Sequence, residues 1–146
     1  MRVAELRFWD SSALVPLLVD EPNSGAVMSL VDQDNEIVAW WGSSVECASA
    51  IRRREREGAL DARGTEHALA LLDQLRDSIF EIQPSRFLRA AAERALAVHP
   101  LRAADALQLA AATTWRGQAT RADLVCLDER LRDAAAREGF VLVPGR

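Results

Sequence analysis

The sequence predicts an α/β fold, a three-layer α/β/α sandwich around a central, mostly parallel sheet. Three observations carry that expectation. Short runs rich in β-branched and aromatic residues alternate along the chain with longer segments of helical periodicity. Strands that alternate with helices pair in parallel, and right-handed crossovers place the helices on both faces of the sheet. The 146 residues, 49% of them hydrophobic, show no repeat, linker or low-complexity tract and fit a single domain spanning 1–146.

In chain order, Leu6-Arg7-Phe8-Trp9 reads as a first strand ending at Asp10. Ser12 to Val19 reads as a helix stopped by Asp20-Glu21-Pro22, and Ser24 to Asp32 as a second helix. Glu36 to Trp40 is strand two. Ser43 then opens a long helix that runs through Arg56 and stops at Gly58. Thr65 to Arg76 is helical, with Leu69, Leu72 and Leu75 on one face, and Ile79 to Ile82 is a short strand. Ser85 to Ala97 and the Ala/Leu-rich Arg102 to Trp115 are helices, the latter apolar over much of its surface and so expected to be buried. Leu124 to Leu127 is a strand ending at Asp128. Glu129 to Arg137 is a last helix closed by Gly139, and Phe140 to Val143 a final strand.

Composition removes whole classes of chemistry. All 18 basic residues are Arg, so a Lys Schiff base, a P-loop Lys and a Lys phosphate clamp are excluded. The net charge of −4 does not draw a polyanion to the chain as a whole. A nucleic-acid role must therefore rest on local Arg clusters and on bound metal ions. Cys47 and Cys126 form no CxxC or zinc spacing and read as buried free thiols of a reducing cytoplasm. The first residues lack a long apolar stretch, and Ala13 to Val19 is too short to span a bilayer, so a soluble cytoplasmic protein without membrane association is expected.

In parallel sheets the active crevice lies beyond the carboxyl ends of the strands, near a switch in strand order. Asp10 and Asp128 each end a strand; Glu46 and Asp105 each sit in the first turn of a helix. Singly, each acid has a local explanation. Asp10 and Asp128 suit helix N-caps, and Ser43-Ser44-Val45-Glu46 matches a capping box. Asp105 favours the positive end of its helix or pairs with Arg102. Jointly they ask for more. Glu46 and Asp105 are flanked by apolar residues, and buried carboxylates must be paired or bound to metal. Clustered carboxylates repel one another until a divalent cation removes the conflict, and hard oxygen ligands favour Mg²⁺ or Mn²⁺.

Four segments, Asp10-Ser11-Ser12-Ala13-Leu14, Val45-Glu46, Leu101-Arg102-Ala103-Ala104-Asp105-Ala106-Leu107 and Leu127-Asp128-Glu129-Arg130-Leu131, resemble the ordered motifs of the PIN-domain family. The VapC-type toxins of type II toxin–antitoxin systems are the nearest group, and the resemblance runs from Phe8 to Val143. It implies a PIN-like α/β/α sandwich and metal-dependent endoribonuclease activity with Mg²⁺ or Mn²⁺ as cofactor. It also implies a cognate antitoxin that blocks the site, and a homodimer. Carried over by position, Asp10, Glu46, Asp105 and Asp128 form the catalytic, metal-holding cluster, with Ser12 supporting Asp10. Cys126 stands where many relatives have Thr or Ser, and its weaker hydrogen bond puts the support of Asp128 in question.

The reaction so implied is in-line attack of water on an RNA phosphodiester, with Asp10 and Asp105 as first-choice ligands. Arg52, Arg53 and Arg56, in the densest basic run, and Arg102 beside the site are candidate RNA contacts; Arg86 and Arg89 are further ones. Against this stands a solvated helix face paired with Glu55 and Glu57. Trp40 and Trp41, at a strand end, read as core or dimer packing, with base stacking as the alternative. His67 and His99 read as surface or packing residues. A phosphotransfer enzyme or receiver domain is excluded because Asp10-Ser11-Ser12 lacks a second Asp and the chain lacks Lys. A PIN-type nuclease of RNA processing and a non-catalytic PIN-like binding module stay open.

Overall fold

A computed structural model describes residues 6–34 and 36–145. It holds five strands, β1 (Arg7–Trp9), β2 (Ile37–Trp40), β3 (Ile79–Ile82), β4 (Asp123–Val125) and β5 (Val141–Val143), in one sheet of order β3-β2-β1-β4-β5. Every pairing is parallel; Phe8 lies opposite both Val38 and Leu124. The helices are α1 (Ser11–Leu14), α2 (Ser24–Asp34), α3 (Ser43–Arg56), α4 (Ala62–Ser78), α5 (Arg86–Val98), α6 (Ala103–Arg116) and α7 (Glu129–Arg137).

Alternation along the strands builds two cores. Phe8, Val38, Trp40 and Leu124 point to one face and pack with α5, α6 and α7. Their neighbours Trp9, Ile37, Ala39 and Val125 point to the other and pack with α1, α2, α3 and α4. A sheet covered on both faces needs strands that are apolar throughout, which is why β2 is buried at every position.

The boundaries differ from the sequence reading where side chains compete with the backbone. The helix expected over Ser12 to Val19 is α1 followed by a 3₁₀ turn, Val15–Leu17. Pro16 has no N–H to return to the Ser12 carbonyl, so the α pattern cannot continue. Asp61 accepts from Gly64 N at 2.7 Å and starts α4 three residues before Thr65. β4 stops at Val125, and Leu127 N turns to the Ser12 hydroxyl at 2.9 Å instead. Among the described residues no helix is long and apolar enough to cross a membrane.

Candidate active site

Strand order reverses at β1. From it the chain steps outward to β2 and β3, then returns to lay β4 and β5 on the opposite side. The carboxyl ends of β1 and β4 therefore flank the switch point, where α/β sheets open a crevice. Asp10 directly follows β1, and its N–H donates to Val125 O at 3.0 Å, prolonging the ladder. Asp128 follows β4 and caps α7.

Asp10 is 3% exposed. Its Oδ2 accepts from Ser12 N at 3.2 Å, Ser12 Oγ at 2.5 Å and Cys126 Sγ at 3.4 Å. Ser12 Oγ also accepts from Leu127 N, so one hydroxyl ties the end of β1 to the segment leaving β4. Cys126 was expected to bear on Asp128. Its thiol instead faces the Asp10 carboxylate and meets only the backbone carbonyl of Asp128, at 3.5 Å. Burial pushes this thiol up, and that of Cys47 to about 12, so both stay protonated.

The capping box expected of Ser43 and Glu46 does not form. Gly42 is the N-cap of α3, and Glu46 N bonds to Gly42 O. The Glu46 carboxylate is instead held by residues distant in sequence: Ser11 Oγ donates to Oε1 at 3.0 Å, and Gln108 Nε2 to Oε2 at 2.8 Å. Gln108 also donates to Ser43 Oγ at 2.8 Å, which bridges α6 to α3. Buried on α6, its Oε1 has no hydrogen-bond partner among the described residues. The sequence reading missed Ser11, Ser43 and Gln108. Gln108 stands three residues after Asp105, on the same helix face, and that spacing was the available signal.

Asp105 and Asp128 do serve their own helices. Asp105 Oδ2 accepts from Arg102 N at 3.4 Å, and Asp128 Oδ1 from Leu131 N at 3.0 Å. They also act on the other acids. Burial, then the charge of Asp128, raises Asp10 above the usual carboxylate range. Glu46 is pushed up to about 7 by burial, then by the charges of Asp10 and Asp105. Asp105 is raised by burial and by Asp128, against the Arg102 amide and the charges of Arg102 and Arg130. Asp128 thus bears on Asp10 and Asp105, and those two bear on Glu46.

A divalent cation suits this donor set. The four groups are hard oxygen ligands under mutual repulsion, the condition that Mg²⁺ or Mn²⁺ relieves. As placed, no three acidic, His or Cys side chains among the described residues close into a ready-made cage.

The basic residues fall into two groups. Arg52, Arg53 and Arg56 lie at the opposite end of α3 from Glu46, about 10–15 Å along the axis. Arg52 is paired with Glu55 at 3.1 Å, and Arg54 with Glu21. Arg102 is exposed beside Asp105, and Arg130, which the sequence reading passed over, is exposed in the first turn of α7. Arg86 and Arg89 are exposed at the start of α5, beyond the edge strand β3. Trp40 is in the core as expected, whereas Trp41 is 50% exposed. His67 is exposed on α4; His99 is buried against Glu138, with Nε2 to Oε1 at 2.7 Å.

No protein-family model matches the sequence, and no curated protein matches it. Solved structures do. VapC20 of Mycobacterium tuberculosis, a sarcin-ricin loop cleaving toxin, is similar at a TM-score of 0.68 and 18% identity, over 94% of this chain and 97% of that one. FitAcB from Neisseria gonorrhoeae is similar at a TM-score of 0.65 and 13% identity, over 94% and 95%. At such identities the likeness is one of fold, and it takes in nearly all of each chain. The chain thus has the PIN-like α/β/α fold, with Asp10 and Asp128 following the two strands that flank the switch in strand order.

Proposed function

We propose that this chain is a Mg²⁺- or Mn²⁺-dependent endoribonuclease, the toxin of a toxin–antitoxin pair, which hydrolyses RNA phosphodiester bonds at Asp10, Glu46, Asp105 and Asp128. One observation carries the reading: acids from four separate segments bear on one another's charge, two of them directly after the strands that flank the sheet's switch point. A set of caps serving only their own helices needs no such coupling, and Glu46 caps nothing. The fold shared with a sarcin-ricin loop cleaving toxin supports the choice of RNA. A cognate antitoxin, a homodimer and a cytoplasmic setting belong to the same reading.

Asp10, Glu46, Asp105 and Asp128 would hold the cation, which when bound supplies charge for the phosphate oxygens and acidifies water. The chain's own part is positional. Ser12 and Cys126 fix Asp10 by its Oδ2. Ser11 and Gln108 fix Glu46 from opposite sides. Asp105 and Asp128 each commit one oxygen to a helix amide.

The test is direct. Purified protein should generate discrete new ends in cellular RNA with Mg²⁺ or Mn²⁺, none in EDTA, and none as Asp10→Ala. Intact RNA after incubation with folded wild-type protein in both metals overturns the proposal. A non-catalytic binding module is the second reading, favoured by the open arrangement of the acids. It predicts RNA or protein binding without new ends in either metal.

A further inference from the structure

Arg132 is a charged residue on the inner face of α7, 8% exposed and set among the buried Leu131, Ala134 and Ala135. Among the described residues no carboxylate lies within salt-bridge distance of it. Asp128, four positions earlier, is the partner that helical spacing offers, but its carboxylate serves Leu131 N. Arg132 instead donates from Nη1 to Cys126 O and from Nη2 to Pro144 O, both at 2.8 Å. A guanidinium is costly to take out of water, and here those two carbonyls are what it receives in return.

Both carbonyls stand at the carboxyl edge of the sheet. Val125 and Val143 are the last paired residues of β4 and β5, and Cys126 N still donates to Val143 O at 3.0 Å. One residue further along each chain, the planar fork of Arg132 bridges Cys126 O and Pro144 O. A side chain thus supplies one more rung between the two strands. The segment it holds carries several contacts of the site. Cys126 Sγ meets Asp10 Oδ2 at 3.4 Å, and Leu127 N donates to Ser12 Oγ at 2.9 Å. Asp128 then caps α7 and accepts Arg132 N on its carbonyl at 2.9 Å. Ser12 fixes Leu127 from the side of β1; Arg132 fixes Cys126 from the side of α7 and β5.

We propose that Arg132 is a positioning residue of the acid cluster: its guanidinium straps Cys126 to Pro144, which keeps the Cys126 thiol on Asp10 and sets where Asp128 opens α7. This rests on the reading of those acids as a metal site. The shape of the group matters as much as its charge. A guanidinium presents its donors in a rigid plane and meets two carbonyls at once, whereas an ammonium is a point donor on a flexible stem.

The test reads the segment apart from the reaction. Folded, metal-free protein is treated with a thiol reagent, and labelling at Cys126 and at Cys47 is followed separately by mass spectrometry. Both thiols are buried, so Cys47 reports global opening. Arg132→Met should label at Cys126 about 10-fold faster, the effect of one lost charged hydrogen bond on local opening, with Cys47 unchanged. Its Kd for Mn²⁺ should rise about 10-fold, the lower end of what partners of metal ligands confer. Arg132→Lys should follow Arg132→Met. Arg116→Met is the control. Arg116 Nη1 donates to Glu138 O at 2.6 Å at the far end of α7, so its loss should lower the melting temperature while Cys126 and Mn²⁺ behave as in wild type. Equal acceleration at both thiols in Arg132→Met, or a wild-type Kd for Mn²⁺, means that Arg132 serves global stability alone and overturns the proposal. Wild-type behaviour in Arg132→Lys overturns the role of the fork. If the wild-type protein binds no Mn²⁺ yet Cys126 alone is released in Arg132→Met, the strap stands and the metal site falls.

Discussion

Gln108 Nε2 lies 2.8 Å from Glu46 Oε2 across 62 positions of sequence, and the same amide reaches Ser43 Oγ. A buried side chain on one helix thus sets the direction of a carboxylate on another. Removing a group that orients a metal-binding residue commonly costs 10- to 100-fold in affinity or activity, hence about that loss of cleavage and of Mn²⁺ affinity is expected for Gln108→Met. Met fills a similar volume without an orphaned oxygen, so the melting temperature should hold within a few degrees. Unchanged Mn²⁺ affinity and cleavage would show that Glu46 needs no orientation from α6.

Ser12 joins two strand ends with one hydroxyl, donating to Asp10 and accepting from Leu127 N. In Ser12→Ala the Leu127 amide loses its acceptor and Asp10 its shortest hydrogen bond. A loss of about 1–3 kcal/mol is expected, the range for a buried polar group left without a partner. Denaturant unfolding measures it. Ser12→Thr keeps the hydroxyl and should recover most of the loss; equal destabilisation by Ala and Thr would point to packing rather than the hydrogen bonds.

The order and type of the elements were legible in the sequence because period-2 runs and helical stretches are separated by strong punctuation, as at Gly58 and Gly139, both at positive φ. Asp10, Glu46, Asp105 and Asp128 were legible as acids at strand ends or in first turns. What the sequence hid was partnership. Glu46 in Ser43-Ser44-Val45-Glu46 has the local signature of a capping box, yet Gly42 takes the cap and Glu46 turns to Ser11 and Gln108. Those bonds depend on how α3, α6 and α1 pack, which no local pattern encodes. Gln108 sits among Leu107, Leu109 and Ala110, and nothing in that run marks a polar side chain as buried. The two Trp residues at the end of β2 are adjacent and chemically identical, so only the packed sheet separates the buried Trp40 from the open Trp41.

The acids also leave a mark on stability. Asp10, Glu46 and Asp105 are raised above their ordinary values, Glu46 from 4.5 to about 7. Between those two values the folded chain binds protons more tightly than the unfolded chain, so the contribution of Glu46 to stability falls as pH rises. It is most favourable below the unfolded value and is lost once pH passes the folded one. In EDTA, the melting temperature relative to that of Glu46→Gln should therefore drop from about pH 5 to about pH 7.5, and Mn²⁺ should restore it at the higher pH. Asp105→Asn should raise the metal-free melting temperature at neutral pH while reducing cleavage more than about 100-fold. A wild-type rate in that variant removes Asp105 from the site.

Gly42 shows how narrowly the position of Glu46 is set. Its φ of −74° suits any residue, so glycine is required there for space rather than conformation. A Cβ at this position would overlap the indole Nε1 of Trp40. Trp40 cannot yield easily, because it is 7% exposed and packed in the core with α5 and α6. The strain in Gly42→Ala must pass into the first turn of α3, where Glu46 N bonds to Gly42 O at 3.3 Å. Overpacking of this kind costs about 1–3 kcal/mol, and cleavage should fall even at temperatures where the variant is fully folded. Trp40→Leu removes the ring atom that the added Cβ meets, so Gly42→Ala with Trp40→Leu should be less destabilised than the sum of the single changes. Strict additivity would mean that α3 is seated by other contacts, and that the path from Trp40 through Gly42 to Glu46 carries no strain.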